Sequence, residues 1–487
     1  MTVALTSLAK ALDVTTSVGV LESVALRRAV ADSRLVQPGD LFCCIVGDHS
    51  DGHDFANAAV EQGAVALLVD HALDLAVPQL VLEPSSMRHQ VAIAAQLLAG
   101  RPSEALAVCG VTGTNGKTTV TQMLGSMARV AGRPTTVIGT LSGSRTTPEA
   151  PELAEFLADA RDEAKAENLV GVVALEVSSH ALALSRVDGI KFSVACFTNL
   201  SHDHLDFHGT MEAYFAAKAK LFTADRCDQA VIFVDDQAGA RLAEMVDVPA
   251  ISVSMSDASS IDLGLNGSWF TWREMRVHVP LPGMVNIANA LVALAAGVAL
   301  GLKPDACAIG LSAMALVPGR LQRVQGERID APTVFVDYAH TPAGLATVLT
   351  DLRRLIAKEA ALIVVFGCGG DRDQMKRAPM GEAAARLATS VIITNDNPRS
   401  EDPDVIADQI LSGVPSDRRR QINVVLDRRL AIERAISTAG AGDVVLIAGK
   451  GHEGFQVAGD ATTPFDDAQV AQAALSMTHE ETTCSPS

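Results

Sequence analysis

The stretch Thr112-Gly113-Thr114-Asn115-Gly116-Lys117-Thr118-Thr119 constrains the fold of this chain more than any other. It follows an apolar run, Ala105 to Val111, and precedes a helical pattern with Val120, Met123, Leu124 and Met127 on one face. The order is strand, tight loop, helix. Glycines let the backbone fold around an anion, and the amides at the helix start point towards it. Lys117 can then reach the β- and γ-phosphates of a nucleotide, and Thr118 can coordinate Mg²⁺. The strict P-loop spacing asks for glycine at Val111, which Gly110 and Gly113 only flank. A glycine turn of this kind also serves as a plain strand-to-helix connection, but Gly-Lys-Thr in this setting favours nucleotide binding.

With 487 residues, the chain has the length of about three domains. Residues 1–103 mix short strands and helices around Asp32-Ser33-Arg34, and Arg101-Pro102-Ser103 reads as a linker. Residues 104–317 alternate strand and helix, with strands at Val172 to Leu175, Val194 to Phe197 and Ala230 to Val234 and a closing helix near Asn286. Residues 318–487 repeat that alternation, with strands at Thr333 to Val336, Ala361 to Phe366, Val391 to Thr394 and Val444 to Ala448. Helices are expected at Gly381 to Ala388 and Arg429 to Ser437, and the last ten residues are expected to fray. Alternation of this kind implies mainly parallel sheets covered on both faces. Polar clusters follow the apolar strands: Glu176 to His180, Thr198-Asn199, Asp337 to His340, Gly367 to Asp371 and Gly449 to Glu453. Ligands of open α/β sheets bind beyond the carboxyl ends of the strands, so a site between the second and third domains is expected.

A formal net charge of −18 argues against a nucleic-acid surface or a polybasic membrane contact. The eight cysteines are scattered without Cys-x-x-Cys spacing and read as reduced, mostly buried thiols. No signal peptide is evident, and the apolar run Ala290 to Leu302 is too short to span a bilayer. A soluble, cytoplasmic monomer without nucleic-acid or membrane partners is expected.

In order along the chain, several motifs resemble the Mur ligase family. They are the loop at Thr112 to Thr118, Asn199-Leu200-Ser201-His202-Asp203-His204-Leu205-Asp206, Leu281-Pro282-Gly283, Pro318-Gly319-Arg320 and Asp337-Tyr338-Ala339-His340-Thr341-Pro342. Within the family, Asp32-Ser33-Arg34, Thr146-Thr147-Pro148-Glu149, Asp396-Asn397-Pro398-Arg399 and Gly449-Lys450-Gly451-His452-Glu453 resemble members that add the third residue of the peptidoglycan peptide. The resemblance implies an α/β chain of three domains: an N-terminal uridine-binding domain, a central P-loop ATPase domain with a mainly parallel sheet, and a C-terminal Rossmann-like domain for the incoming amino acid. It also implies ATP-dependent amide formation through an acyl phosphate, with UDP-N-acetylmuramoyl-L-alanyl-D-glutamate and meso-diaminopimelate as substrates. Alternatives are L-lysine or another amino acid in the same reaction, the family's dipeptide-adding and folylpolyglutamate-like synthases, and a catalytically idle nucleotide-binding regulator.

Carried over residue by residue, the resemblance places ATP on Gly113, Thr114, Asn115, Gly116, Lys117, Thr118 and Thr119, with Asn289 at adenine, Asp337 at ribose and Arg320 at phosphate. Mg²⁺, or Mn²⁺ in its place, would be held by Thr118, Glu176, His204 and Lys218, the last as a carbamate (N6-carboxylysine). Lys117, Glu176, His204 and Lys218 form the catalytic set so implied. Read alone, Lys218 is a solvated lysine on an amphipathic helix, Glu176 a helix-cap neighbour, His204 a hydrogen-bonded loop residue and Asp337 a strand-end cap. Ser33, Thr146, Thr147, Ser178 and Arg186 would contact the UDP-muramoyl dipeptide, and Arg372, Asp396, Asn397, Pro398, Arg399, Gly449 and Glu453 the amino acid. Arg399 offers a planar fork to the extra carboxylate that distinguishes diaminopimelate from lysine. Leu184, Ala343, Gln322 and Gly454-Phe455 depart from the family's usual residues and bear on substrate details.

Overall fold

The computed structural model describes residues 2–47, 50–143, 145–326 and 330–476. Residues 1 to 103 hold a five-stranded sheet in the order Thr16–Val18, Gln79–Val81, Ala66–Val69, Leu41–Cys43, Ala29–Val30, parallel except for the first strand. Alternate residues of one strand serve opposite cores. Leu41 and Cys43 pack with Val91 and Leu98 of helix Met87–Leu98, whereas Phe42 and Cys44 pack with Ala56 and Ala59 of helix Ala56–Glu61. Burial on both faces explains why these strands read as continuous apolar runs.

The central sheet has six parallel strands in the order Ala250–Val253, Ala230–Phe233, Val194–Phe197, Ala107–Thr112, Val172–Glu176, Thr135–Ile138. Cys109 and Val111 face helices Lys117–Val130 and Met284–Ala299, and Val108 faces helix Ala150–Ala166. The glycine loop therefore leaves the middle of the sheet, with the ends of Val172–Glu176 and Val194–Phe197 on either side. A three-stranded antiparallel sheet, Ser259–Gly264, Gly267–Trp272 and Met275–Val279, adjoins this layer.

The third sheet runs Gln322–Val324, Thr333–Asp337, Val444–Ala448, Leu362–Phe366, Ser390–Ile393, Ile422–Val424, and only its first strand is antiparallel. Helices Pro342–Leu355 and Arg377–Leu387 cover one face, and Arg428–Thr438 and Asp467–Ser476 the other. A hairpin, Phe455–Ala458 with Ala461–Pro464, projects beyond it.

The expected strands and helices lie within a few residues of those observed. The Arg101-Pro102-Ser103 segment lies in the connection between helix Met87–Leu98 and strand Ala107–Thr112. Pro102 and Ser103 are buried in a short 3₁₀ turn, and the Ser103 hydroxyl accepts from the Lys191 amide at 3.3 Å. The seven described cysteines are free and buried; Cys484 and the last ten residues lie outside the described residues. No described helix is long and apolar enough to cross a membrane.

Candidate active site

The loop at Gly113 is shaped by glycines that nothing else could replace. Gly113 and Gly116 have φ of 149° and 86°, and a Cβ would collide with the Thr198 hydroxyl at one and the Asn289 side chain at the other. Thr198 and Asn199, at the end of the neighbouring strand, brace the loop. The Thr198 hydroxyl donates to the Asn115 carbonyl at 2.6 Å, and the Asn115 amide donates to Asn199 Oδ1 at 3.1 Å. Lys117 is half-buried, with Nζ donating to the Gly113 and Thr114 carbonyls at 2.9 Å each. Burial lowers its pKa, and Glu176 and Asp203 oppose that shift.

Glu176 ends its strand at 1% exposure and has no ion-pair partner among the described residues. Its carboxylate accepts from the Thr118 hydroxyl at 3.0 Å, the Thr140 amide at 2.9 Å and the Thr140 hydroxyl at 3.2 Å. A buried carboxylate satisfied only by neutral donors is well suited to a cation. His204, at φ 54°, is held neutral: burial takes its pKa down to about 4 against the pull of Asp203. A neutral imidazole is the form that ligates metals.

Lys218 corrects the reading of a solvated lysine. It sits at 1% exposure on helix Met211–Ala219, with Nζ donating to the Gly113 carbonyl at 2.8 Å and lying 4.6 Å from the Tyr214 ring centre. Burial and then Lys117 hold its pKa well below the ordinary lysine value. The Glu176 carboxylate, the Thr118 hydroxyl and the neutral His204 imidazole, which line one cleft, are donor types that a divalent cation accepts.

Arg320 reaches in from the third section. Its guanidinium donates to the Thr118 hydroxyl at 3.0 Å and stacks 4.5 Å from the Tyr338 ring centre. Thr118 is thus shared between Glu176 and Arg320. A cleft of ≈ 440 Å³ joins the loop, Glu176, His204, Arg320 and Asp337, and an adjoining recess of ≈ 320 Å³ lies between Asn289, Met255, Met284 and Asp351. Asp337 also caps its strand end: its two oxygens accept from the Leu321 and Ala339 amides at 2.7 and 2.8 Å. Gly113 and Pro398 line none of these cavities; Gly113 acts through its carbonyl, and Pro398 is buried beneath the pocket described next.

A second cavity, ≈ 360 Å³, gathers Arg372, Asp396, Asn397, Arg399, Gly449 and Glu453. Arg399 takes a left-handed φ of 50° and donates to the Gly370 carbonyl at 2.7 Å. Asp203, His204, Tyr338 and His340 line both this cavity and the main cleft. In the sequence Asp203, Tyr338 and His340 stand out only as members of longer motifs. Tyr338 and His340 closely follow the end of strand Thr333–Asp337, which was the available signal, whereas Asp203 lies six residues beyond Phe197.

The residues expected at the muramoyl dipeptide divide. Thr146 lines the main cleft. Thr147, at 1% exposure, donates to the Glu176 carbonyl at 2.8 Å and accepts from the Ser178 amide at 3.0 Å, while Ser178 caps helix Ser179–Ala183. Arg186 pairs with Glu149 at 2.8 Å, and Arg145 and Arg88 approach the same carboxylate at 3.6 and 3.8 Å. Ser33 starts a 3₁₀ turn in the first domain and lines none of the three cavities.

Three family models match in sequence order: the Mur ligase family catalytic domain over residues 29–107, the Mur ligase middle domain over 111–297, and the Mur ligase glutamate ligase domain over 319–451. A UDP-N-acetylmuramoyl-L-alanyl-D-glutamate--2,6-diaminopimelate ligase from Syntrophomonas wolfei is 42% identical over 461 residues, covering 90% of this chain and 92% of the relative. A solved structure of a ligase with that name superposes with a TM-score of 0.66 at 31% identity, covering 98% and 99% of the two chains. The MurF ligase from Thermotoga maritima in complex with ADP shares the fold, with a TM-score of 0.63 at 20% identity over 88% of this chain and 94% of that one.

Proposed function

The chain belongs to the Mur ligase family, and from that premise we propose that it joins meso-diaminopimelate to UDP-N-acetylmuramoyl-L-alanyl-D-glutamate at the expense of ATP, in the cytoplasm, as a step of peptidoglycan precursor synthesis. The observation that carries the reading is the shared wall of Asp203, His204, Tyr338 and His340, where the phosphate cleft opens onto the pocket containing Arg399 and Glu453. An acyl phosphate made on one side of that wall lies within reach of an amine held on the other.

In the proposed reaction a substrate carboxylate oxygen attacks the γ-phosphorus of ATP, and ADP leaves. The deprotonated amine then attacks the acyl carbon, and phosphate leaves with the electron pair of the C–O bond. Lys117 and Arg320 offset the repulsion between triphosphate and carboxylate, and Arg186 holds an anionic group of the muramoyl substrate. Thr118, Glu176, His204 and carbamylated Lys218 would hold Mg²⁺, which supplies positive charge to phosphate oxygens when bound. In the amino-acid pocket Arg399, supported by Arg372, takes the distal carboxylate and Glu453 an ammonium. Domain limits at 1–103, 104–317 and 318–487, and a monomeric state, belong to the same reading.

The test is phosphate release with ATP, the UDP-muramoyl dipeptide and a panel of amino acids, with products identified by mass. Release dependent on meso-diaminopimelate, with L-lysine used poorly, is expected, because lysine leaves Arg399 unpaired in a desolvated pocket. Equal use of lysine would overturn the assignment of the amino acid. ATP turnover with no ligated product would overturn the reaction.

A further inference from the structure

The loop after strand Val444–Ala448 carries a lysine that none of the roles above uses. Lys450 is 0% exposed, although lysine is among the residues least often buried without a partner. Its Nζ donates to Asn397 Oδ1 at 3.0 Å and to Glu453 Oε2 at 3.2 Å. Asn397 is itself 2% exposed; its Nδ2 donates to Glu453 Oε2 at 2.9 Å, and its Oδ1 also accepts from the Val457 amide at 3.0 Å. Lys450, Asn397 and Glu453 therefore form a closed triangle of hydrogen bonds. It ties the loop after Ser390–Ile393 to the loop after Val444–Ala448.

The triangle fixes three things that a lone glutamate would leave free. Lys450 and the Val457 amide can only donate, and together they turn Oδ1 of Asn397 towards themselves and its Nδ2 towards Glu453. Both bonds to Glu453 fall on Oε2, which leaves Oε1 to accept from a ligand. The triangle also fixes a lysine nitrogen 3.2 Å from Glu453 Oε2, beside a cavity that buries Asn397 and half-buries Arg399. Side chains held in this way recognise a charged group without having to reorganise first.

We propose that Lys450 is a positioning residue that sets amino-acid specificity: it orients Asn397 and Glu453 to receive an ammonium group of the incoming substrate, while Arg399 receives a carboxylate. The inference rests on the functional reading above. It concerns only the amino-acid half of the site. The main cleft does not include Lys450, so binding of nucleotide and muramoyl peptide should not depend on it.

The test is steady-state kinetics on Lys450→Met and on Lys450→Met/Glu453→Gln, varying each of the three substrates in turn. Lys450→Met should raise the KM for meso-diaminopimelate about tenfold or more, the scale of one charge-assisted hydrogen bond. The KM values for ATP and the muramoyl dipeptide should stay within about twofold on the same scale. The double variant carries no unpaired buried charge and so stays folded if the single variant does not. Its KM should match that of Glu453→Gln alone, because the Val457 amide still holds Asn397 and the lysine has no carboxylate left to orient. Unchanged KM for the amino acid in Lys450→Met, or a double variant worse than Glu453→Gln for all three substrates, would overturn the inference. Failure of wild type to use meso-diaminopimelate would instead overturn the functional reading; the same comparisons are then made with the amino acid that wild type does ligate.

Discussion

Lys218 carries the sharpest chemical consequence at the scale of single residues. An ammonium at 1% exposure beside Lys117 is disfavoured, which shifts the balance towards the neutral amine, the form that attacks CO₂. The carbamate, formed with release of one proton, would put a negative carboxylate in place of the amine near His204. Enzyme equilibrated with ¹³C-bicarbonate should show a carbamate resonance that is absent from Lys218→Ala, and short carboxylic acids should partly restore that variant's turnover. An active wild type without the resonance would sink the carbamate. Lys218 was legible in the sequence only by resemblance, since Lys220 beside it made both look solvated. Its burial comes from packing of the helix against the glycine loop, a long-range contact that no local pattern records. The Asp396-Asn397-Pro398-Arg399 motif, in contrast, announced its pocket, because three of its four side chains line one cavity.

Between elements, one buried arginine holds two motif loops in register. Arg428, at the start of helix Arg428–Thr438, pairs through two nitrogens with Asp467 at 2.7 Å each, both side chains fully buried. Its remaining donors reach the Asn395 and Ala448 carbonyls at 3.1 Å, one residue before Asp396 and Gly449. Arg428→Met should cost about 3–5 kcal/mol of stability, since Asp467 is left buried and unpaired. Arg428→Met/Asp467→Leu should recover most of that loss. Urea midpoints for the two variants measure it, and equal midpoints for wild type and Arg428→Met would contradict the argument. The parallel strands were readable because burial on both faces makes them apolar without a break. The antiparallel sheet Ser259–Gly264, Gly267–Trp272 and Met275–Val279 was not. Its strands are half-exposed, with Ser259, Asp262 and Arg276 interrupting the apolar pattern. The hairpin Phe455–Ala458 was missed for the same reason.

For the molecule as a whole, pH acts through histidines that folding keeps neutral. Burial brings His208 and His452 from an ordinary 6.5 down to about 4. The unfolded chain takes up these protons near pH 6.5 and the folded chain only near 4, so stability falls as pH drops through that window. Denaturant midpoints should decline between pH 7.5 and 5, and His452→Gln should flatten the decline; a flat profile in wild type would refute the account. The three-section organisation and the cleft after the strand ends were legible, because alternation of strand and helix leaves few ways to arrange a parallel sheet. The contact of Arg320 with Thr118 was not, since it depends on how two separately folded units meet.

That contact has a kinetic meaning. With the Arg320 guanidinium bonded to the hydroxyl of the phosphate loop, a nucleotide whose phosphates take up either group has to displace that bond. Association then becomes a two-step process, and its observed rate should level off at high ATP concentration at the frequency with which Arg320 lets go. Stopped-flow mixing with a fluorescent ATP analogue should reveal that ceiling, and Arg320→Ala should lift it while weakening final affinity. A rate that climbs linearly in wild type would mean the entrance stands open.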